Sequence, residues 1–255
     1  MGTTSGIWHP SQYNGKKVAT VRVGQLVSEG IIRRSQEKQV ERDWIDFFSS
    51  KETRILDLTI WSRVKQEIVD ALAGQTQLEK LTIKWGPYAD LSAIGKLCNL
   101  VELELGGAKN VADLSPLFAL QRLESLIVDQ AHSLADISQL GRMTTLRRLG
   151  YGNGYPGSDK NVAIHDFEWI RPLVNLESLS LAGTTFDGVD LRVLASMPKL
   201  KFLNMPLRRN NRKQVFELAE SSPVFAAWAK DYLGYEKMRA KLETKRSRWW
   251  NLFSR

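Results

Sequence analysis

Apolar residues recur along this chain in one short phrase, L-x-x-L-x-L. It occurs as Ile55-Leu58-Ile60, Leu78-Leu81-Ile83, Leu100-Leu103-Leu105 and Leu123-Leu126-Val128, then as Leu146-Leu149-Tyr151, Leu176-Leu179-Leu181 and Leu200-Leu203-Met205. Successive copies begin 23, 22, 23, 23, 30 and 24 residues apart. The end of the phrase alternates apolar and polar, which predicts a strand. A second set of apolar positions keeps the same step. Leu91, Leu114, Ile137, Phe167 and Leu191 form one column. Ile94, Leu117, Leu140, Ile170 and Leu194 form the next, and Leu97, Leu120, Met143, Leu173 and Met197 a third. These columns are three residues apart, which predicts a helical or 3₁₀ return after each strand.

One strand–turn–helix unit cannot bury its own apolar face. Stacked units can, with their strands about 4.8 Å apart in a parallel sheet. In this the chain resembles leucine-rich-repeat proteins. The short step and the phrase Asp113-Leu114-Ser115-Pro116-Leu117 are most similar to the class that includes bacterial internalins. The resemblance covers residues 53–207. It implies an α/β solenoid with a parallel sheet on the concave face, helical or 3₁₀ turns on the convex face, and helical caps at both ends. That class carries Asn three residues after the last apolar position of the strand. Gly86, Ala108, Ala131, Gly154 and Thr184 stand there instead, so the turn must be closed by other means.

The ends depart from the repeat. Residues 1–52 read as a cap, with Val18-Val21-Val23 as an atypical opening unit. Residues 35–50 predict an amphipathic helix with Val40, Trp44, Phe47 and Phe48 on one face and Ser35 as its N-cap. Residues 208–255 read as a C-terminal cap and tail. Two helices, 211–221 and 224–246, flank Pro223, the first using Val215, Phe216 and Leu218 to close the solenoid.

Residues between the inward-facing strand positions point onto the concave face. One column reads Asp57, Lys80, Glu102, Ser125, Arg148, Ser178, Phe202. The next reads Thr59, Thr82, Glu104, Ile127, Gly150, Ser180, Asn204, and the third Trp61, Lys84, Gly106, Asp129, Gly152, Ala182, Pro206. Asp57-Lys80-Glu102 alternates in sign, as a cross-strand ladder does. The face carries no single-sign field and is no phosphate channel. Parity leaves Trp61 exposed beside Lys84, with Trp85 and Tyr88 leaving the same edge. Exposed Trp and Tyr are frequent interface hot spots, and Lys84 is placed to stack on Trp61. The competing reading buries Trp61 under the N-terminal helix. The candidate partner-binding set is Trp61, Lys84, Trp85, Tyr88, Glu104, Arg148 and Tyr155.

Tyr155 belongs to the 151–165 loop of the 30-residue repeat. Gly152-x-Gly154-x-x-Gly157 in that loop matches a phosphate-binding fingerprint in letters alone. Pro156 and polar Ser158-Asp159-Lys160-Asn161 follow where a helix would have to open. A projecting, adaptable loop is the stronger reading, since insertions in one repeat map to one face, often the binding face; a tolerated insertion without a role is the equal alternative.

Composition changes the picture at few points. Of 36 basic and 28 acidic residues, 13 and 5 fall in 201–255, so this segment alone carries the net +8. Its end, Lys245-Arg246-Ser247-Arg248-Trp249-Trp250, interleaves cations and aromatics. That pattern suits an anionic membrane surface or nucleic acid, and equally a tail that packs back on the solenoid. The N-terminus shows neither a secretory nor a myristoylation pattern, and no run is long enough to span a membrane. A cytoplasmic location is the simplest expectation. The single cysteine, Cys98, excludes an intramolecular disulfide and a cysteine metal site.

Candidate chemistry is sparse. Asp90, Asp113, Asp136, Asp166 and Asp190 recur immediately before the helical return, where they read as helix N-caps rather than a catalytic column. His9, His132 and His165 are scattered; His165 adjoins Asp166 without a nucleophile motif nearby. No catalytic residue, cofactor or metal is expected. The sequence therefore predicts a protein-recognition module acting through the concave face and the 151–165 loop. A bacterial adaptor or a toxin-neutralising immunity protein is the finer reading. The alternative is a nucleic-acid or membrane binder acting through Lys245, Arg246, Arg248, Trp249 and Trp250.

Overall fold

The computed structural model describes residues 6–50, 53–153 and 161–253, with side chains left out of account at 239, 240 and 242–253. Within these residues the strands are β1 (Val18–Val21), β2 (Asp57–Arg63), β3 (Lys80–Trp85), β4 (Glu102–Leu105), β5 (Ser125–Asp129), β6 (Arg148–Gly152), β7 (Val162–Ala163), β8 (Ser178–Ser180), β9 (Thr184–Thr185) and β10 (Phe202–Asn204). The α-helices are α1 (Glu37–Ser49), α2 (Gln66–Ala71), α3 (Arg192–Ala195), α4 (Arg212–Ala219) and α5 (Pro223–Phe253).

Eight strands form one parallel sheet in the order β1-β2-β3-β4-β5-β6-β8-β10. The register is the one the period dictates. Leu58, Leu81, Leu103, Leu126, Leu149, Leu179 and Leu203 lie side by side across seven strands. All are buried, as are the residues two positions on, Ile60, Ile83, Leu105, Val128 and Tyr151. Each coil then returns through a short helical turn: α2, 3₁₀ turns at Ile94–Lys96, Ser115–Ala119, Ile137–Arg142 and Glu168–Ile170, and α3. Burying one leucine contributes about 1.5–3 kcal/mol, and the stacked columns add this coil after coil.

The five repeated aspartates precede these returns, but only Asp136 is an N-cap; Ala93, Leu114, Phe167 and Leu191 hold that position in the other four, without a side-chain cap bond. Asp90, Asp113, Asp136, Asp166 and Asp190 each accept the backbone N–H two residues on, at 2.8–2.9 Å. That bond satisfies a donor the helical turn cannot use internally. Hydrogen bonds hold three of these carboxyls below the usual range: Asp90, mainly through the Ser92 hydroxyl; Asp113, mainly through the Ser115 N–H; and Asp190, mainly through the Arg192 side chain.

The missing turn asparagines are replaced by bonds that run from coil to coil. Ala108 N–H donates to the Asp129 carbonyl at 2.9 Å, Gln130 N–H to Gly152 at 2.7 Å and Asn153 N–H to Ala182 at 2.8 Å. Ala108, Ala131 and Thr184 are fully buried, and the Thr184 hydroxyl donates back to Leu181 O at 2.7 Å. A second stitch lies just before the strands. The Asn99 amide donates to Thr76 O, the Thr145 hydroxyl to Leu123 O and the Asn175 amide to Thr144 O, each reaching the preceding coil.

The caps correct several expectations. The opening unit is shifted by two residues: Ala19 and Val21 pair with Leu58 and Ile60, and Val18 is 65% exposed opposite Asp57. Helix α1 buries Val40, Trp44 and Phe48, with Phe47 half-buried, and packs on α2. Ser35 is not its N-cap; it lies inside a 3₁₀ turn, Arg34–Gln36, that leads into the helix, and Gln36 holds the cap position without a side-chain bond. At the far end Val215 is buried, with Phe216 and Leu218 half-buried. Helix α5 opens with Pro223, whose ring suits a first helical position, and sends Val224, Phe225, Trp228 and Ala229 into the core.

The 30-residue repeat is ordered at both borders. Tyr151 and Gly152 belong to β6, and β7 pairs with β9 because Val162 and Ile164 alternate into the core. The predicted 151–165 loop is therefore shorter than its sequence implies. Tyr155 and residues 154–160 lie outside the described residues. Gly152 ends β6, and the other two glycines of the fingerprint, Gly154 and Gly157, lie outside the described residues.

Candidate functional site

The concave surface carries an open groove of about 1000 Å³ over β2 to β8. Its floor follows the second polar column, through Thr82, Glu104, Ile127, Gly150 and Ser180. Its wall comes from the third column and the turns beyond it, including Trp61, Arg63, Lys84, Trp85 and Asp129.

Trp61 is 40% exposed and Trp85 36%. The N-terminal helix does not cover Trp61, because α1 packs on α2 and its adjoining turn, in the convex layer. The Lys84 ammonium lies 3.9 Å from the Trp61 ring centroid, and the Arg63 guanidinium 6.0 Å from that of Trp85. Each ring is thus held by a cation from the neighbouring strand, an arrangement worth about 0.5–1 kcal/mol at an exposed site. A register shift between Ile60 and Arg63 places Arg63 opposite Trp85.

Charges differ from column to column. Lys80 and Glu102 face each other across β3 and β4 and pair at 3.1 Å, which raises the Lys80 pKa, chiefly through the Glu102 hydrogen bond. Glu104, two residues on, is exposed between Thr82 and Ile127 and forms no ion pair among the described residues. Gly150, on β6, has no side chain and is buried; the three atoms nearest a Cβ there, at 3.2–3.6 Å, all belong to the Ile127 side chain on β5.

The sequence-derived set divides. Trp61, Lys84, Trp85 and Glu104 line the groove together. Arg148 is exposed on the concave face but outside the groove lining. Tyr88 is a correction: it is fully buried, and its hydroxyl donates to Gly106 O at 2.8 Å. Burial, with a smaller contribution from Asp129, pushes its pKa well above that of an ordinary phenol. Strand parity ends at Trp85, and beyond it the chain turns inward. A signal for this existed: Tyr88, Val111, Leu134 and Ile164 stand three residues before Leu91, Leu114, Ile137 and Phe167, and all four are buried. The candidate set missed Arg63, Ile127, Asp129 and Gly150, although the polar columns contain the last three.

The other candidate chemistry stays dispersed. His9 contacts Asp43 at 3.0 Å in the N-terminal cap, and His132 and His165 are exposed. Cys98 is exposed. Among the described residues no group of three or more His, Cys, Asp or Glu could hold a metal ion, and no helix is long and apolar enough to cross a membrane. The backbone of α5 runs through Lys245, Arg246, Arg248, Trp249 and Trp250; their side chains lie outside the described residues.

One parallel sheet with a strand per coil, closed by 3₁₀ or helical returns, defines a leucine-rich-repeat solenoid. No protein-family model matches the chain, and no curated protein does. Among solved structures it resembles internalin C2 of Listeria monocytogenes, at 21% identity and a TM-score of 0.49, covering 68% of this chain and 70% of that one. It also resembles an internalin (inlF) of the same organism, at 24% identity and a TM-score of 0.48, covering 60% of this chain. A leucine-rich-repeat protein of Leptospira interrogans is similar at 16% identity and a TM-score of 0.45 over 80% of this chain. The chain spans 42% of the inlF protein and 56% of the Leptospira protein. At these identities the likeness is one of fold.

Proposed function

We propose that this chain is a protein-recognition module that holds its partner in the concave groove. The observation that carries this reading is the pair of exposed tryptophans, Trp61 and Trp85, each fixed by a cation on a curved, otherwise shallow sheet. Rigid, exposed aromatic residues supply large contact area and lose little freedom on binding. Arg63, Lys84 and Lys109 line the groove together with Glu104 and Asp129, so it has no single-sign field to track a phosphate backbone. The finer reading is a bacterial, cytoplasmic adaptor or toxin-neutralising immunity protein.

The test is affinity capture from the organism that encodes the chain, followed by mass spectrometry. A specific partner should be recovered by the wild-type chain and lost with Trp61→Ala plus Trp85→Ala. A partner retained by that double variant contradicts the reading.

A further inference from the structure

We infer that the groove selects a partner segment bearing a lysine or arginine next to a bulky apolar residue, with Glu104 receiving the basic group. This rests on the groove being the recognition site and names the chemistry it reads.

The argument begins with a missing pair. Acidic side chains on an exposed parallel sheet are readily neutralised by a basic residue on the next strand, as Lys80 does for Glu102 at 3.1 Å. Glu104 has the same opportunity. Lys84 is on β3, adjacent to β4, and two residues along from Thr82, the direct neighbour of Glu104. Yet the Lys84 ammonium lies 3.9 Å over Trp61, on β2, which is the opposite side of β3. The direct cross-strand neighbours of Glu104 are Thr82 and Ile127, neither of which can neutralise it. Among the described residues the fold thus leaves Glu104 without an ion pair: Lys80, near enough to feel its charge, pairs with Glu102, and Lys84 sits over Trp61.

The surroundings give the second half of the preference. Ile127 stands beside Glu104 on one strand, and Gly150 beside Ile127 on the next. Gly150 is buried, and a Cβ there would lie 3.2–3.6 Å from three atoms of the Ile127 side chain, so the isoleucine leans over the glycine and presents the apolar surface beside Glu104. An apolar side chain of the partner packs on Ile127. A nearby basic side chain then reaches Glu104, since neighbouring strands are about 4.8 Å apart. As the apolar contact excludes water, the charge-assisted hydrogen bond to Glu104 strengthens.

The experiment is selection from a random peptide display library on the full chain, repeated on Trp61→Ala and on Glu104→Gln. Both positions are exposed, so the variants should fold, which circular dichroism checks. The expected winners carry Lys or Arg beside a bulky apolar residue. They should bind Glu104→Gln about tenfold or more weakly, as loss of a hydrogen bond to a charged group implies. Glu124→Gln, which lies off the groove, should leave binding unchanged. Winners that need Trp61 yet show no basic preference, or ignore Glu104→Gln, overturn this inference and leave the groove reading standing. Winners that bind Trp61→Ala as well as wild type, or no enrichment over an unrelated protein, overturn both.

Discussion

Lys84 lies on β3 between Trp61 on β2 and Glu104 on β4, and its ammonium sits over the indole, 3.9 Å from the centroid. The choice fixes the aromatic ring and leaves the carboxylate open. A double-mutant cycle on Lys84→Ala and Trp61→Ala, read by chemical denaturation, should give a coupling of about 0.5–1 kcal/mol. A coupling of zero would mean that the stacked geometry is not held in solution.

One member of the aspartate column should behave as a helix cap. Asp136 is the N-cap of its 3₁₀ turn and accepts the Ser138 N–H at 2.9 Å. Asp136→Ala should therefore cost about 1 kcal/mol of stability, while Asp136→Asn or Asp136→Ser should cost much less. Equal losses for all three would show that charge, and not the accepted hydrogen bond, matters there.

Glycines in the coil differ sharply in what they tolerate. Gly183 sits at φ +69° with Asn153 O where a Cβ would go, so Gly183→Ala meets both strain and a backbone clash. Its cost should exceed about 2 kcal/mol and that of Gly150→Ala should be smaller, since the three atoms nearest the new methyl, at 3.2–3.6 Å, belong to the Ile127 side chain and not to the backbone. Thermal melts of the two variants compare them directly.

An ion network edges the sheet at the start of the strands. Glu177 pairs with Lys201 at 2.9 Å and Arg147 at 2.5 Å, and Arg147 also reaches Glu124 at 3.7 Å. The hydrogen bond from Lys201, then that from Arg147, hold the Glu177 carboxyl down to about 2 from 4.5. The folded pKa is the lower one, so its contribution to stability is present above pH 4.5 and is lost as pH falls toward 2. Unfolding followed across that window should show a smaller decline for Glu177→Gln than for wild type. High salt should shrink the difference, since the network is exposed.

The C-terminal cap rests on α5. Phe225 is fully buried, and Trp228 nearly so, stacked on Tyr232 at 5.7 Å. Phe225→Ala should cost about 3–5 kcal/mol, comparable with the loss of a core aromatic from any repeat. A much smaller loss in denaturant titration would mean that the helix is not integral to the solenoid.

The repeat was legible because its two periods carry independent information. Period two along Leu103-Glu104-Leu105 sets the strand face, and the 22–24-residue step sets which residues are neighbours. Together they place Trp61, Lys84 and Glu104 on one surface. They fail where neither period operates. Val18 fits the letters of the phrase but not its register, because β1 has a full strand on one side only, with a single bridge from Ile7 on the other, and the cap decides its frame. Tyr88 lies past the last alternating residue, and its burial follows from the apolar column shared with Val111, Leu134 and Ile164. The pairing of β7 with β9 was hidden by the longer repeat, whose two ends are set by non-local bonds.

The claim that the concave groove is the binding surface is tested most directly by site-specific photocrosslinking in the encoding organism. A photoreactive amino acid at Thr82, on the groove floor, is compared with the same residue at Lys96, on a convex turn. A discrete crosslinked partner from position 82, absent from position 96 and lost with Trp61→Ala, is the predicted result. Crosslinks to that partner from position 96 but not from position 82 would contradict it.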